Sequence, residues 1–352
     1  MNRFRTDFGA LDGKTVLVTG GTGSFGRRFV DTVLSTERPR KLIVFSRDEL
    51  KQHEMQVDMA ARFSSEQMSR MRFFLGDVRD RQRLTLALRG VEVVVHAAAL
   101  KQVPAAEYNP SEFIQTNVLG AENIVWAALA NRVQKVIALS TDKACNPANL
   151  YGATKLASDK TFVAANNLSG DIGARFAVVR YGNVVGSRGS VAPLFQKLIA
   201  QGARDLPITD PRMTRFWITL NQGVGFVLSC LSLMRGGEIF VPKIPSMTMT
   251  DLAAAMAPDL PIRVIGIRPG EKLHEMMISV DDARHVVDLG DRYAIEPAFV
   301  EFSRESFSSA HPLVEDGFSY ASNTNDEWLS HEDLLALLND SSRGLTTSAA
   351  GA

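Results

Sequence analysis

The sequence is poor in cysteine and has no excess charge of either sign. Cys145 and Cys230 are the two cysteines among its 352 residues, which excludes a disulfide framework and a four-thiolate zinc site. The 39 Lys and Arg residues balance 39 Asp and Glu residues, so the chain lacks the basic excess of nucleic-acid and anionic-membrane binders. We therefore expect no nucleic-acid or membrane partner and a cytoplasmic location.

Long hydrophobic runs are also missing. No stretch approaches the roughly 18 apolar residues of a membrane span. The longest run, from Val224 to Met234, is interrupted by Ser229, Cys230 and Ser232 and is typical of a buried helix. The start of the chain, MNRFRTDFGALDGK, has no apolar core, so we expect no secretory signal there.

The remaining composition is that of an ordinary globular protein, and its pattern is an alternation. Short β-branched runs predict strands at Thr15–Thr19, Lys41–Phe45, Arg72–Leu75, Val91–His96, Lys135–Leu139 and Phe176–Arg180. Between them, helical periodicity predicts helices at Ser24–Ser35, Asp48–Phe63, Asp80–Leu88, Glu112–Asn131 and Gly152–Asn167. This order predicts an α/β fold with a doubly wound parallel sheet of the Rossmann type.

A glycine-rich turn follows the first predicted strand directly. The sequence Gly20-Gly-Thr-Gly23-Ser-Phe-Gly26 has GxxGxxG spacing and opens a helix. Glycines there allow a pyrophosphate to approach the backbone and the positive end of the helix. The pattern favours a dinucleotide cofactor over a simple tight turn, and its predicted contacts are Gly20, Thr22, Gly23, Ser24, Phe25 and Gly26.

Residues after the next three strands complete this cofactor site. Asp48 lies about 20 residues past the glycine turn, where an acid would bind the adenosine ribose of NAD. Its neighbours Ser46, Arg47 and Lys51 suit a 2′-phosphate instead, so we favour NADP over NAD; alternatively the segment is an ordinary helix start capped by Ser46. The remaining predicted cofactor contacts are Asp77, Val78, Ala97, Ala98, Ala99 and Lys101.

After Gly186 the alternation loosens, and helices are predicted at Ala192–Gln201, Gln222–Leu233 and Met249–Met256. We expect residues 1–186, with about 218–240, to form the cofactor domain. Residues 187–217 and 241–335 would form a smaller carboxy-terminal substrate-binding region. The small polar residues 340–352 predict a flexible tail.

The strongest catalytic signal is Ser140-Thr-Asp-Lys-Ala144 followed by Tyr151-Gly-Ala-Thr-Lys155. On a helix, Tyr151 and Lys155 share a face, and we expect the lysine and a nicotinamide to lower the phenol pKa so that it accepts a hydroxyl proton. Asp142 and Lys143 add an acid and a base, a pair that suits elimination of water. The alternative is that Asp142 caps the next turn and Lys143 is solvated.

In this combination the chain resembles the extended short-chain dehydrogenase/reductase family over about residues 14 to 300. The resemblance implies that Thr141, Tyr151 and Lys155 are the catalytic Thr, Tyr and Lys, the last two also touching the cofactor. Thr-Asp-Lys, where other nucleotide-sugar dehydratases carry Thr-Asp-Glu, is similar to the inverting UDP-N-acetylglucosamine 4,6-dehydratases. Further matching strings are FSRDELKQ, AAALKQVPAAEYNP, RYGNVVGSRGSVAP, TDPRMTRFWITL and IRPGEKLHE.

That resemblance implies residue roles and a product. Asp142 would be the acid at sugar C6, Lys143 the base at C5 and Tyr151 the base at the C4 hydroxyl, giving a 4-keto-6-deoxy sugar for pseudaminic acid or surface glycans. Lys143 acts as a base only when neutral, so we expect burial and nearby cations to depress its pKa. The predicted substrate contacts are Lys101, Asn183, Arg188, Arg215, Arg268 and Glu271.

Two other functions remain open at this point: a UDP-sugar 4-epimerase with the same cofactor cycle, and a non-catalytic NADP-sensing protein. Any one of the substrate arginines could instead form a surface salt bridge. No His, Cys or carboxylate spacing indicates a metal site. Since relatives assemble, we expect a homo-oligomer.

Overall fold

The computed structural model describes Phe4 and residues 9–170, 173–186 and 190–343, and it confirms the predicted α/β class. Its strands are β1 (Thr15–Thr19), β2 (Lys41–Ser46), β3 (Met71–Leu75), β4 (Val93–His96), β5 (Lys135–Leu139), β6 (Arg175–Val179), β7 (Asn183–Val184), β8 (Leu206–Ile208), β9 (Thr214–Ile218), β10 (Ile239–Pro242), β11 (Ser246–Thr248), β12 (Ile262–Val264), β13 (Met276–Ile278), β14 (Val286–Asp288), β15 (Arg292–Ile295) and β16 (Tyr320–Ala321).

The helices fill the gaps between these strands. They are α1 (Ser24–Thr36), α2 (Glu49–Arg62), α3 (Ser65–Ser69), α4 (Arg81–Ala87), α5 (Val103–Tyr108), α6 (Pro110–Phe113), α7 (Gly120–Ala130), α8 (Leu150–Ser169), α9 (Val191–Ala200), α10 (Leu220–Leu233), α11 (Met249–Met256) and α12 (His331–Arg343).

Within the described residues, one large sheet has the strand order β14-β15-β10-β6-β5-β4-β1-β2-β3. Every pairing from β10 through β3 is parallel, whereas β14 and β15 form an antiparallel hairpin at the edge. All residues of β1 and β4 are buried, because helices cover both faces of a doubly wound sheet. The order reverses between β1 and β4, which creates the crevice in which such folds bind ligands.

The helix predicted over Glu112–Asn131 is less regular than expected. It starts earlier, at Pro110, and a π-helical segment, Ile114–Leu119, separates α6 from α7. Backbone angles at Phe113, Ile114 and Gly120 stay right-handed helical, so the chain continues without a break. A π segment turns side chains out of the usual helical register and often marks a functional site.

The carboxy-terminal half is divided between the large sheet and a second, smaller core. Phe195, Trp217 and Leu252 belong to this second core, to which strands β8 and β9 contribute. The short pairing β13-β16 instead packs on the large core through Met277, Ile278 and Tyr320. Strand β10 and the β14–β15 hairpin join the large sheet, so part of the predicted 241–335 region lies outside the smaller core.

Residues 340–343 of the predicted tail belong to α12, and residues 344–352 lie outside the described part.

The Val224–Met234 run lies within or beside α10 and is largely buried, as its interrupted pattern predicted. Within the described part of the chain, each helix is too short or too polar to cross a bilayer.

A buried ion pair stabilises the start of β10. The Glu238 carboxylate accepts hydrogen bonds from the Arg235 and Gly236 backbone N–H groups, each at 2.9 Å. It also pairs with Arg304 at 3.0 Å, and both side chains are at most 5% exposed. Arg304 also contacts Glu296 at 3.0 Å, so removing the Glu238 charge takes one of two carboxylates from a buried arginine and weakens the acceptor of two backbone N–H groups.

We predict that Glu238→Gln lowers the free energy of unfolding by about 3 kcal/mol. Urea denaturation measures this change. The matched control is Glu66→Gln, which breaks a pair with Arg70 whose glutamate is 80% exposed and should cost less than about 1 kcal/mol. Equal losses in the two variants would contradict the assignment of Glu238 as a buried structural charge.

Candidate functional site

Most of the predicted cofactor residues line an open cleft of about 280 Å³ at the carboxyl ends of β1, β2, β3 and β4, whereas Lys101, Tyr151 and Lys155 lie outside its lining. Of the predicted contacts, the cleft is lined by Gly20, Thr22, Gly23, Ser46, Arg47, Asp48, Lys51, Asp77, Val78, Ala97, Ala98 and Ala99. Phe45, Gly76, Leu100 and Thr116 also line it and were not predicted. Ser24, Phe25 and Gly26 form the first turn of α1 behind the lining.

The glycine turn fits a pyrophosphate. Helix α1 has no side-chain cap and no acidic residue in its first turn, so no carboxylate competes for its positive end. Gly20 has φ +64°, and a Cβ there would lie 2.9 Å from the Ala98 backbone. Bare backbone therefore forms this wall, as close approach of a phosphate requires.

At the far end of the cleft, acids and cations form local pairs. Asp48 caps α2 by accepting from Lys51 N at 3.0 Å, and its carboxylate pairs with Lys51 Nζ at 2.6 Å. The expected alternative cap, Ser46, does not have this role. Asp77 pairs with Arg79 at 2.8 Å and Arg47 at 3.3 Å. Burial favours a higher Asp77 pKa, but these arginines outweigh it and hold the pKa below its ordinary value.

The π-helical segment fixes the exit from β4. Asn117 exchanges two hydrogen bonds with Leu100, each at 2.9 Å, and donates a third to Thr154 Oγ1 at 3.1 Å. It therefore connects the cleft wall to α8. His96, at the end of β4, hydrogen-bonds Thr19 at 2.9 Å, and burial lowers its pKa to about 3, so it is a neutral packed residue.

The catalytic turn follows β5, and α8 packs closely against it. Thr141, not Asp142, caps the 3-10 turn Asp142–Ala144. A Cβ on Gly152 would lie 2.2 Å from the Lys143 carbonyl oxygen, so the residue after Tyr151 must be small for helix and turn to meet. Asn149 caps α8 through Gly152 N at 2.8 Å.

Tyr151 and Lys155 are buried on α8, as the spacing predicted. Tyr151 hydrogen-bonds Thr141, which places the predicted Thr–Tyr pair together. In the free protein, burial raises the Tyr151 pKa to about 12, although Lys143 and Thr141 oppose it. The expected lowering of this pKa by a lysine and a bound nicotinamide stays a prediction. Burial also lowers the Lys155 pKa, against the opposing charge of Asp159.

Lys143 lies between two buried carboxylates. Its Nζ is 3.0 Å from Asp142 Oδ1 and 3.0 Å from Glu275 Oε1, and its side chain is 23% exposed. The alternative interpretation, in which Lys143 is solvated and Asp142 caps the next turn, is therefore wrong. The expectation of a depressed Lys143 pKa is also wrong here: burial would lower it, but Asp142 and Glu275 together raise it.

Asp142 has the opposite environment. It is fully buried, and burial raises its pKa, an effect that outweighs the lowering by Lys143. Thr141 Oγ1 donates to Asp142 Oδ1 at 2.9 Å. A carboxyl group with a raised pKa beside an ammonium is suited to hold and release a proton.

The predicted substrate residues are distributed unevenly. Arg268 is 63% exposed and is paired with Glu271 in the loop before β13. Asn183 is half-buried in β7, and Lys101 is exposed beside the cleft. Arg215 is buried: it donates to the Thr214, Leu273 and Lys272 carbonyl oxygens, and its Nε lies 3.8 Å from Glu275. Arg188 lies outside the described residues.

Sequence reasoning missed Glu275, Asn117 and Thr116. Glu275 lies in the matching string IRPGEKLHE, but nothing local to it indicates a contact with Lys143 far earlier in the chain. Among the described residues, no cluster of three His, Cys, Asp or Glu side chains could hold a metal ion.

We predict that Tyr151 titrates near pH 12 in the free protein. Ultraviolet difference titration of the wild type against Tyr151→Phe isolates its phenol. Lys143→Met should move the titration to higher pH, because it removes a cation that favours phenolate, whereas Lys160→Met on the outer part of α8 should not. Titration near the ordinary value of about 10 would contradict this description.

Several known proteins are similar to this chain in sequence and fold. The polysaccharide biosynthesis protein family matches residues 16–297. The chain is 57% identical over 335 residues to a UDP-N-acetylglucosamine 4,6-dehydratase (inverting) of Campylobacter jejuni, covering 94% of this chain and 98% of that protein. It is 43% identical over 290 residues to a UDP-glucose 4-epimerase of Rickettsia canadensis, covering 80% and 82%.

Among solved structures, the X-ray structure of Pen from Bacillus thuringiensis superposes with a TM-score of 0.82 at 33% identity, covering 94% of this chain and 99% of that one. The large parallel sheet agrees with this structural match. The chain therefore belongs to the polysaccharide biosynthesis protein family, within the extended short-chain dehydrogenases/reductases.

Proposed function

We propose that the chain is a UDP-N-acetylglucosamine 4,6-dehydratase (inverting), a hydro-lyase that uses NADP. The observation that carries this proposal is the Asp142–Lys143 pair beside Tyr151, because a simple 4-epimerase needs the tyrosine and lysine of α8 but no additional acid and base. The high identity to the Campylobacter jejuni dehydratase over nearly the whole chain supports the same function.

Tyr151, Thr141 and Lys155 would act first. Tyr151 accepts the proton of the C4 hydroxyl, and Thr141 holds its phenol by a hydrogen bond. The nicotinamide, when bound, supplies reversible acceptance of a hydride and the positive charge that favours phenolate. The C4 ketone that results acidifies the neighbouring C5 proton, which prepares the sugar for elimination.

Lys143 and Asp142 would then remove water across C5 and C6. Lys143 accepts the C5 proton, and Asp142 donates a proton to the departing C6 hydroxyl. Burial of Asp142 supports its role as the acid, since its pKa is raised. We propose Lys101, Asn183, Arg188, Arg215, Arg268 and Glu271 as substrate contacts; Arg268, whose side chain is 63% exposed, can meet a diphosphate directly.

The adenosine end supports NADP. Asp48 is engaged as the α2 cap and the partner of Lys51, which leaves its carboxylate poorly placed for a ribose diol. Arg47 is 52% exposed at the cleft and can turn from Asp77 to a 2′-phosphate. We also propose a cytoplasmic homo-oligomer whose product enters pseudaminic acid or surface glycan synthesis.

Incubation of the purified protein with UDP-N-acetylglucosamine tests the function. We expect a product that has lost one water, carries a C4 ketone and has inverted C5 by NMR and mass spectrometry. Lys143→Ala should abolish water loss while cofactor binding is kept, because the base at C5 is gone. Lys160→Ala is the matched control. Wild-type turnover in Lys143→Ala would contradict the mechanism.

The Rickettsia canadensis match makes a UDP-sugar 4-epimerase the second candidate. It would give an isomer of unchanged mass. A protein that binds NADP but turns over no UDP-sugar would instead be a non-catalytic sensor, and retention of both Tyr151 and Lys155 argues against that.

We further predict that Arg47→Ala weakens NADP binding about tenfold, the value of one charge-assisted hydrogen bond, and changes NAD binding about twofold or less. Isothermal titration with each cofactor measures this. Arg40→Ala, which removes a surface partner of Glu92 at 2.8 Å, serves as the control. Equal weakening of the two cofactors would show that Arg47 does not read the 2′-phosphate.

A further inference from the structure

Glu275 joins the substrate half of the chain to the catalytic turn. It directly precedes β13, and Ser322 fixes its backbone: Glu275 N donates to Ser322 Oγ at 2.9 Å, and Ser322 N donates to Glu275 O at 2.8 Å. The carboxylate is 2% exposed. Nearby, Lys272 Nζ donates to the Cys145 carbonyl oxygen at 2.5 Å, which ties the same segment to the turn that carries Lys143.

The contacts of the Glu275 carboxylate disfavour folding, so stability alone does not explain them. Asp142 and Glu275 share one lysine ammonium, each at 3.0 Å. Among the described atoms, the second carboxylate oxygen of each residue is buried without a hydrogen-bond partner. Burying charges with unmet hydrogen bonds disfavours folding, so this arrangement indicates a functional role.

The two carboxylates also differ in their affinity for a proton. Burial raises the Asp142 pKa, and the charge of Glu275 adds to this effect. Burial would raise the Glu275 pKa too, but Lys143 and Arg215 outweigh it and hold it low. Two neighbouring acids with pKa values pushed apart are typical of divided roles. A proton that leaves Lys143 therefore goes to Asp142, while Glu275 stays ionised.

We propose that Glu275 is a positioning residue for the elimination: it holds Lys143 Nζ against Asp142 and keeps one negative charge beside the pair while a proton moves between them. The inference rests on the proposed dehydratase function and deepens it by naming the group that prepares the acid and the base.

The protons and electrons of the elimination balance. In the resting site, Lys143 is an ammonium and Asp142 a carboxylate; one proton transfer across their 3.0 Å contact gives a neutral amine and a neutral acid. The amine takes the C5 proton, and the C–H electrons form the C5–C6 double bond. The C6–O bond breaks, its oxygen takes the Asp142 proton, and water leaves. Lys143 and Asp142 are then an ammonium and a carboxylate again.

This cycle requires Lys143 and Asp142 to share one transferable proton. The direction in which activity depends on pH follows from that requirement. Asp142, Glu275, Arg215 and Tyr151 are the titratable or charged groups that act on Lys143. Glu275 favours the protonated form of both Lys143 and Asp142. Its neutralisation lowers both pKa values, so both limbs of the activity profile move to lower pH.

Two variants of the cofactor-loaded protein, assayed for water loss from UDP-N-acetylglucosamine, separate charge from reach. Glu275→Gln keeps the length and removes the charge: we expect kcat to fall roughly 10- to 100-fold, KM to stay within about threefold, and the pH profile to move to lower pH. Glu275→Asp keeps the charge and shortens the arm: we expect a lower kcat with the wild-type pH profile.

Glu238→Gln is the control, because it removes a buried carboxylate outside the site and should lower stability without changing kcat or the pH profile. Wild-type kcat and profile in both Glu275 variants would overturn the inference, as would a kcat loss without any pH shift in Glu275→Gln. If Glu275→Gln does not fold, an unchanged kcat in Glu275→Asp overturns it. A wild-type protein that releases no water contradicts the proposed function itself.

Discussion

One lysine ammonium held between two buried carboxylates determines the chemistry of this site. Burial alone would drive Lys143 to its neutral form, but Asp142 and Glu275, each 3.0 Å away, keep it protonated. Because these charges are desolvated, each depends on the others, and loss of one leaves its partners uncompensated. The site therefore stores a proton next to the group that can accept it.

Several elements of the fold meet at these charges and hold them in contact. The parallel order places the end of β5 next to the end of β4, which borders the cleft. The close approach of Gly152 to the Lys143 carbonyl oxygen packs α8 against the catalytic turn. Lys272 joins the loop before β13 to the end of the catalytic turn, and Asn149 joins the same loop to the start of α8. A substrate that contacts this loop would consequently act on the acid–base pair through one short segment of chain.

Much of the fold and part of the site were predictable, because their signals are local. The alternation of strands and helices, the GxxGxxG turn and the four-residue spacing of Tyr151 and Lys155 each follow from neighbouring residues. Charge states did not follow: Lys143 is held protonated by Asp142 together with Glu275, which is distant in sequence, and Arg215 is buried on backbone carbonyls. The π-helical segment that presents Asn117 also has no periodic signature.

The protonation state of Lys143 tests the account most directly. Nitrogen-15 NMR of the protein labelled on lysine side chains, with Lys143→Arg to assign the resonance, reports whether Nζ is an ammonium. We expect an ammonium in the free wild-type protein at neutral pH and a titration shifted to lower pH in Glu275→Gln. A neutral Lys143 amine at neutral pH in the free protein would contradict it.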